Sequence, residues 1–417
     1  MNYRILGVRF YAAALSLGLL AVPSTSAALT LEEAISLAER EAPSLAARNA
    51  NLQAAQSSVA PAGELPDPKL KLGLQSLPVE GESSLRLGAE PMTMQMIGVM
   101  QEVPNRAKRR ARVETAEATV ALAHAQQKIE RLKVRQLTAE AWIATLAAEQ
   151  KLSIFDQLYA ENRLLSQAVK ARIAGARGMA SDSVLPKQEA ALLAEQEDVL
   201  VRNEAVARAE LQRWIGEAAS VPLEGSWPVW RGDLDQYRHN LDRHPELLAF
   251  DPLSDRAEAK IAEAISDKRP DWGWGVDYQH RGGGFGDMVS LSVSFDLPVF
   301  AGSRQEPKIA AERARLAELE AERQARLRLY NQELAADAAE LQRLNRALSR
   351  FDETLLPLAE EKVRLAMADY RSGNGELISV IDARQELVEM RLRRVDLARD
   401  RSLTNARLHF AYGDIQP

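Results

Sequence analysis

The sequence predicts a mainly α-helical protein with a small β part, built as two copies of one plan. A stretch from about Lys108 to Ala174 contains neither proline nor glycine and is dense in Ala, Leu, Glu, Arg and Gln, all good helix formers. Landmark residues recur in the two halves at a shared spacing. Four short segments alternate polar and apolar residues with a period of two, the signature of β-strands.

The N-terminus reads as an export signal. Arg4 and Arg9 mark a basic region, an apolar stretch runs from Phe10 to Val22, and the small residues Ser24 to Ala28 follow. That order predicts a secretory signal peptide over 1–28, cleaved near Ala27 or Ala28. The apolar run falls short of the ~20 residues a transmembrane helix needs. With no cysteine in 417 residues, disulfides, thiolate metal sites, Cys nucleophiles and a lipid on an N-terminal cysteine are excluded. A net charge of −6 with both signs interspersed argues against nucleic acid as a partner. Beyond the signal no stretch is apolar enough for a membrane-spanning helix, so any part within lipid must be a β-barrel.

The duplication shows in matched markers. Pro43 and Pro245, Pro68 and Pro270, and Gly73 and Gly275 all share one spacing, and Glu102-Val103-Pro104 matches Asp296-Leu297-Pro298 at a slightly shorter one. Gln188 with Gln385 and Gly216 with Gly413 continue the series. The expected organisation is a first helix-strand-strand-helix-helix repeat over 29–216, a linker over 217–234 and a second repeat over 235–417.

Within the long helix, Val113, Ala116, Val120 and Ala123 follow a coiled-coil seam, and Val134, Leu137, Ala141 and Ala144 resume it after Gln127 and Glu130. A helix of that length runs ~100 Å at ~1.5 Å per residue, longer than a compact domain requires. Its counterpart runs from Ser303 to Tyr370. Pro357 inside it predicts two abutting helices, because proline removes a hydrogen bond and clashes with the preceding turn.

Strands are expected at about 68–78, 92–103, 271–281 and 287–297. Leu70, Leu72 and Leu74 alternate with Lys69, Lys71, Gly73 and Gln75. Trp272, Trp274, Val276 and Tyr278 alternate with small or acidic residues, and Val289, Leu291, Val293 and Phe295 with Ser290, Ser292, Ser294 and Asp296. The alternatives are a half-buried soluble sheet or a periplasmic coiled-coil protein without a barrel. Four strands between very long helices have no evident soluble core to cover them. They cannot close alone either, since a single-chain barrel needs about eight strands and lipid tolerates no open edge. Several chains must then share one barrel.

The signal segment, the duplicated plan and four local matches together resemble the TolC-like outer-membrane efflux proteins. The matches are LTLEEAI at Leu29–Ile35, PNRAKRR at Pro104–Arg110, YRSGNG at Tyr370–Gly375 and SVIDARQEL at Ser379–Leu387. The resemblance implies a homotrimer whose four strands per chain form a twelve-stranded outer-membrane barrel, with helices forming a tunnel into the periplasm of a Gram-negative bacterium. It also implies a periplasmic adaptor (membrane fusion) protein and an inner-membrane pump as partners, no enzymatic activity and no cofactor. EPMTM at Glu90–Met94 resembles the heavy-metal branch served by resistance-nodulation-division pumps. Drug efflux and type I protein secretion stay open within the family.

Candidate functional residues follow. The hairpin turns carry Arg172, Arg177 and Asp182 in one half and Arg371, Glu376 and Asp382 in the other. By resemblance they sit at the periplasmic tip, where Arg–carboxylate pairs around a ring could hold the tunnel shut; the alternative is solvated turn charges worth under ~1 kcal/mol each. Trp272, Trp274 and Tyr278 suit an aromatic belt at the lipid interface. Arg109 and Arg110, in a basic cluster with Arg106, Lys108 and Arg112, suit lipid phosphates or solvent equally.

Met92, Met94, Met96 and Met100 offer soft thioether donors. Met94, Met96 and Met100 share one strand face, and the repeat places Met96 and Met100 at the positions of Ser290 and Ser294, on the polar side. Methionine also fills apolar gaps, and a conduit gains nothing from tight binding, so no metal site is expected. His239 and His244 read as surface or capping residues, and no zinc spacing or catalytic triad is visible.

Overall fold

The computed structural model describes residues 28–282 and 284–413. The expected signal peptide lies outside the described residues except for Ala28. Helices α1 (Leu31–Glu41), α2 (Pro43–Ser57) and α3 (Val59–Gly63) lead to strands β1 (Lys69–Gln75) and β2 (Met94–Val103). Helix α4 (Arg106–Ala174) then runs for 69 residues to a turn and returns as α5 (Leu185–Ile215). The second half repeats the order: α6 (Leu234–Asn240), α7 (Pro245–Leu248) and α8 (Phe250–Ser266), then β3 (Trp272–Arg281) and β4 (Met288–Phe295). It closes with α9 (Ala301–Arg350), α10 (Leu356–Ser372) and α11 (Leu377–Leu408). The molecule is mainly α with one small sheet, as the sequence predicts.

Capping side chains start α1 and α4. Thr30 and Glu33 exchange hydrogen bonds as a capping box ahead of α1. The Asn105 side chain accepts from the Lys108 amide at 3.0 Å at the head of α4. Asn105 also donates from its amide and its side chain to the Asp271 carboxylate, at 2.7 and 2.8 Å. Because Asp271 immediately precedes β3, this bond ties the strand-to-helix junction of one half to the helix-to-strand junction of the other.

The main core sits partway down α4. Trp142, Ile143 and Leu146 pack against Leu31, Ala34 and Ala38 of α1 and Leu211, Trp214 and Ile215 of α5. Alanine at 34, 38, 139 and 141 lets the backbones approach. The Trp142 indole donates to the Leu29 carbonyl at 3.2 Å. A second cluster joins Tyr237, Leu241 and Leu247 to Tyr330 and Leu334 of α9 and to Leu408 and Tyr412.

Near Pro357 the two abutting helices expected from the sequence are α9 and α10. A π-turn at Phe351–Leu355 carries α9 into α10 without a gap, and Pro357 falls in the first turn of α10. The wider turn accommodates a residue that has no amide to give.

The four strands form one antiparallel sheet in the order β1-β2-β3-β4. Leu70 stands opposite Val99, Val99 opposite Val276, and Val276 opposite Leu291. The sheet lies at the end of the molecule from which α4 and α9 depart.

Candidate functional site: the sheet and the hairpin tip

The register fixes which side chains share a face. One face carries Leu70, Leu72, Leu74, Ile97, Val99, Trp272, Trp274, Val276, Tyr278, Val289, Leu291, Val293 and Phe295, every one of them exposed. Leu291 is 80% exposed. A folded soluble chain does not leave so broad an apolar surface bare without something to cover it. The expected belt residues Trp272 and Trp274 stand at the helix-proximal end of this face, and Tyr278 lies toward the hairpin loops.

The opposite face carries Lys69, Lys71, Gln75, Glu102, Asp277 and the serines of β4, interleaved with glycines. Met94, Met96 and Met100 lie here too. Gly98 is required: a Cβ there would collide with the Asp277 carboxylate and stand 2.9 Å from the Val276 carbonyl oxygen. Among the described residues β1 and β4 have no outer partner, so both edges of the sheet are open.

The basic cluster after β2 is mostly committed within the chain. Lys108 contacts Asp267 at 2.8 Å and Asp271 at 3.0 Å, and Arg112 contacts Glu263 at 2.9 Å. Of the two residues assigned to lipid phosphates, Arg110 is exposed and pairs with Glu114 one turn on. Arg109 is half-buried, and its Nε has no hydrogen-bond partner.

At the far end the two hairpin turns lie against each other. The Arg172 guanidinium sits 3.9 Å from the Tyr370 ring centre. It donates to the Tyr370 carbonyl and, at 3.0 Å, to the Arg177 carbonyl. Asp182 accepts from the Met179 amide at 3.1 Å, closing its own turn. Arg172, Arg177, Asp182, Tyr370 and Glu376 line a cavity of about 610 Å³ between the turns. Arg371 and Asp382 are exposed and do not line it. Among the described residues none of the six predicted tip residues forms an Arg–carboxylate pair; Arg172 uses an aromatic face and backbone carbonyls instead. Burial pushes the Tyr370 hydroxyl above its ordinary value, with Arg172 opposing and Asp182 adding, and that hydroxyl has no hydrogen-bond partner.

Sequence reasoning missed a buried polar network further along the hairpins. Arg384 of α11 meets Glu189 of α5 at 3.0 Å. Asn162 of α4 donates to the other Glu189 oxygen at 2.7 Å, and Arg384 also donates to the Glu161 carbonyl at 3.3 Å. Three helices from both halves meet there. Of the two roles open to His244, surface or cap, the structure has the cap: it accepts from the Glu246 amide at the head of α7 at 3.2 Å, and it is buried beside Tyr330, ring centres 4.3 Å apart.

Comparison with known proteins agrees with this architecture. A family model described as outer membrane efflux protein matches residues 237–414. The cobalt-zinc-cadmium resistance protein CzcC of Cupriavidus metallidurans is 24% identical over 380 residues, which is 88% of this chain and 85% of that protein. Among solved structures, the outer membrane protein VceC of Vibrio cholerae superposes with a TM-score of 0.74 at 19% identity, covering 92% of this chain and 96% of that one. CusC superposes with a TM-score of 0.75 at 15% identity, covering 92% of each chain. Over residues 237–414 the chain is similar to the outer membrane efflux protein family, and over 92% of its length it shares the fold of these solved structures.

Proposed function

We propose that this chain is one third of a passive outer-membrane conduit, in which three copies close a single barrel and a single helical tunnel. One observation carries the reading: a four-stranded sheet, open at both edges and with one predominantly apolar exposed face, stands at the end of helices ~100 Å long. Lipid can cover that face, and only other copies can satisfy the edges. The polar face then lines the lumen, and the hairpin turns form the periplasmic end, where the tunnel is closed at rest and an adaptor protein docks. An inner-membrane pump supplies the energy. The cargo we assign is heavy-metal cations, supported by the EPMTM segment and by the likeness to a metal-resistance protein.

Purified protein in planar lipid bilayers tests the conduit. The expected result is a heat-sensitive trimer on gels and discrete conductance steps. A monomeric protein without conductance would overturn the reading in favour of a periplasmic coiled-coil role. Deleting the gene tests the cargo: increased sensitivity to heavy-metal salts (copper, silver, cobalt, zinc or cadmium) is expected, whereas sensitivity only to drugs or loss of a secreted protein would reassign it.

A further inference from the structure

The sheet contains four methionines, and all four lie on one face. Met96 of β2 stands opposite Gln279, and Gln279 stands opposite Met288 of β4. Met94 and Met100 fall at even steps from Met96 along the same strand, so they share its face.

The company they keep separates two roles for methionine. As hydrocarbon filler it would stand among aliphatic and aromatic residues. Here that face has none: every other side chain larger than glycine on it is charged, an amide or a hydroxyl. The other face, which takes Leu, Ile, Val, Trp, Tyr and Phe along with Gln95, Gln101 and His280, has no methionine.

Neighbouring glycines leave room for the long side chains along the wall. The Met96 methyl carbon lies 3.4 Å from where a Gly73 Cβ would be, and the Met100 Cβ lies 4.0 Å from the corresponding point at Gly275. Met94 and Met96 on β2 and Met288 on β4 lie two strand spacings and at most two residue steps apart, so their backbones fall within about 12 Å of one another. Flexible side chains can bring their sulfurs together.

We propose that Met94, Met96 and Met288 form a thioether site for the soft monovalent cations Ag(I) and Cu(I), with Met100 as a second station nearer the helices. This rests on the reading that the polar face lines the lumen. Thioether sulfur is a neutral, soft donor that favours these ions over Zn(II). Without thiolate or imidazole the site binds weakly enough to release its ion, as a passage requires.

The test uses the purified trimer carrying ¹³C-methyl methionine, titrated with silver nitrate and, separately, zinc chloride. Silver is expected to shift the methyl signals of Met94, Met96 and Met288 saturably, and zinc is expected to leave them in place. Met96→Leu with Met288→Leu, which keeps volume and apolar character, is expected to abolish the saturable silver shift while preserving conductance to potassium. No silver shift, a shift confined to exposed methionines elsewhere such as Met179, or a shift that survives in the double variant overturns the site. If any of these occurs with conductance intact, the channel reading stands; absent conductance defeats that reading instead.

Discussion

Arg384 and Glu189 form an ion pair at 3.0 Å with side chains only 7% and 5% exposed, one on the last helix and the other on the return arm of the first hairpin. Together with Asn162 they join the two halves of the molecule through buried polar contacts. A buried pair is costly to break because the survivor is left charged and unpartnered.

Replacing one member should therefore be severe and replacing both should be mild. Glu189→Leu or Arg384→Met alone is expected to cost about 3–5 kcal/mol, and the double variant appreciably less. Thermal unfolding followed by helical circular dichroism on all three variants measures it. Additive losses in the double variant would mean that the pair is not coupled.

At the hairpin tip, Arg172 braces the first turn against Tyr370 of the second. Arg172→Ala and the pair Asp182→Ala with Asp382→Ala are expected to raise single-channel conductance of the closed state in a planar bilayer. Arg172→Lys should restore little, because an ammonium lacks the flat guanidinium that stacks on a ring. Of the carboxylates, Asp182 should matter more than Asp382, since only Asp182 lines the cavity between the turns. Unchanged conductance in all of them would place the gate elsewhere.

Adjacent residues of β4 give a test of which face meets lipid. Leu291→Arg is expected to reduce the amount of trimer in the outer membrane, at a cost of about 2–4 kcal/mol for a cation near mid-bilayer. Ser292→Arg, one residue along and on the other face, should insert normally and lower conductance by narrowing the lumen. The reverse pattern would turn the sheet inside out.

Burial holds the His244 imidazole below its ordinary value, Glu246 pulling it up and Arg326 pushing it down. The folded protein keeps this histidine neutral, whereas the unfolded chain takes up a proton near pH ~6.5. Its contribution to stability is therefore complete above that pH and is lost as the pH falls toward the folded value. The unfolding temperature should drop between about pH 7.5 and pH 5.5, and His244→Gln should shrink that drop. An equal drop in the variant would assign it to other groups.

The elements were legible in the sequence because their signals are local. Period-two alternation marked the strands, and the unbroken run from Lys108 to Ala174 marked the longest helix. The inference that one chain cannot close its own barrel needed only the strand count. What stayed hidden depends on distant partners. Arg384 and Glu189 each look like one more helix charge, and nothing local says they meet. Met288 carries no signal of its own until the register sets it level with Met96. Lys108 looked available to lipid until the fold brought Asp267 and Asp271 to it. Pro357 announced a disturbance, but only the backbone shows that a π-turn absorbs it.

The open sheet edges have a consequence for inheritance. When three copies share one wall, a subunit that folds but carries a faulty strand can still enter assemblies with sound ones. A cell making equal amounts of both would keep about one-eighth of its channels free of the faulty copy. Strand defects of that kind would then be dominant, whereas a subunit lost altogether would be recessive.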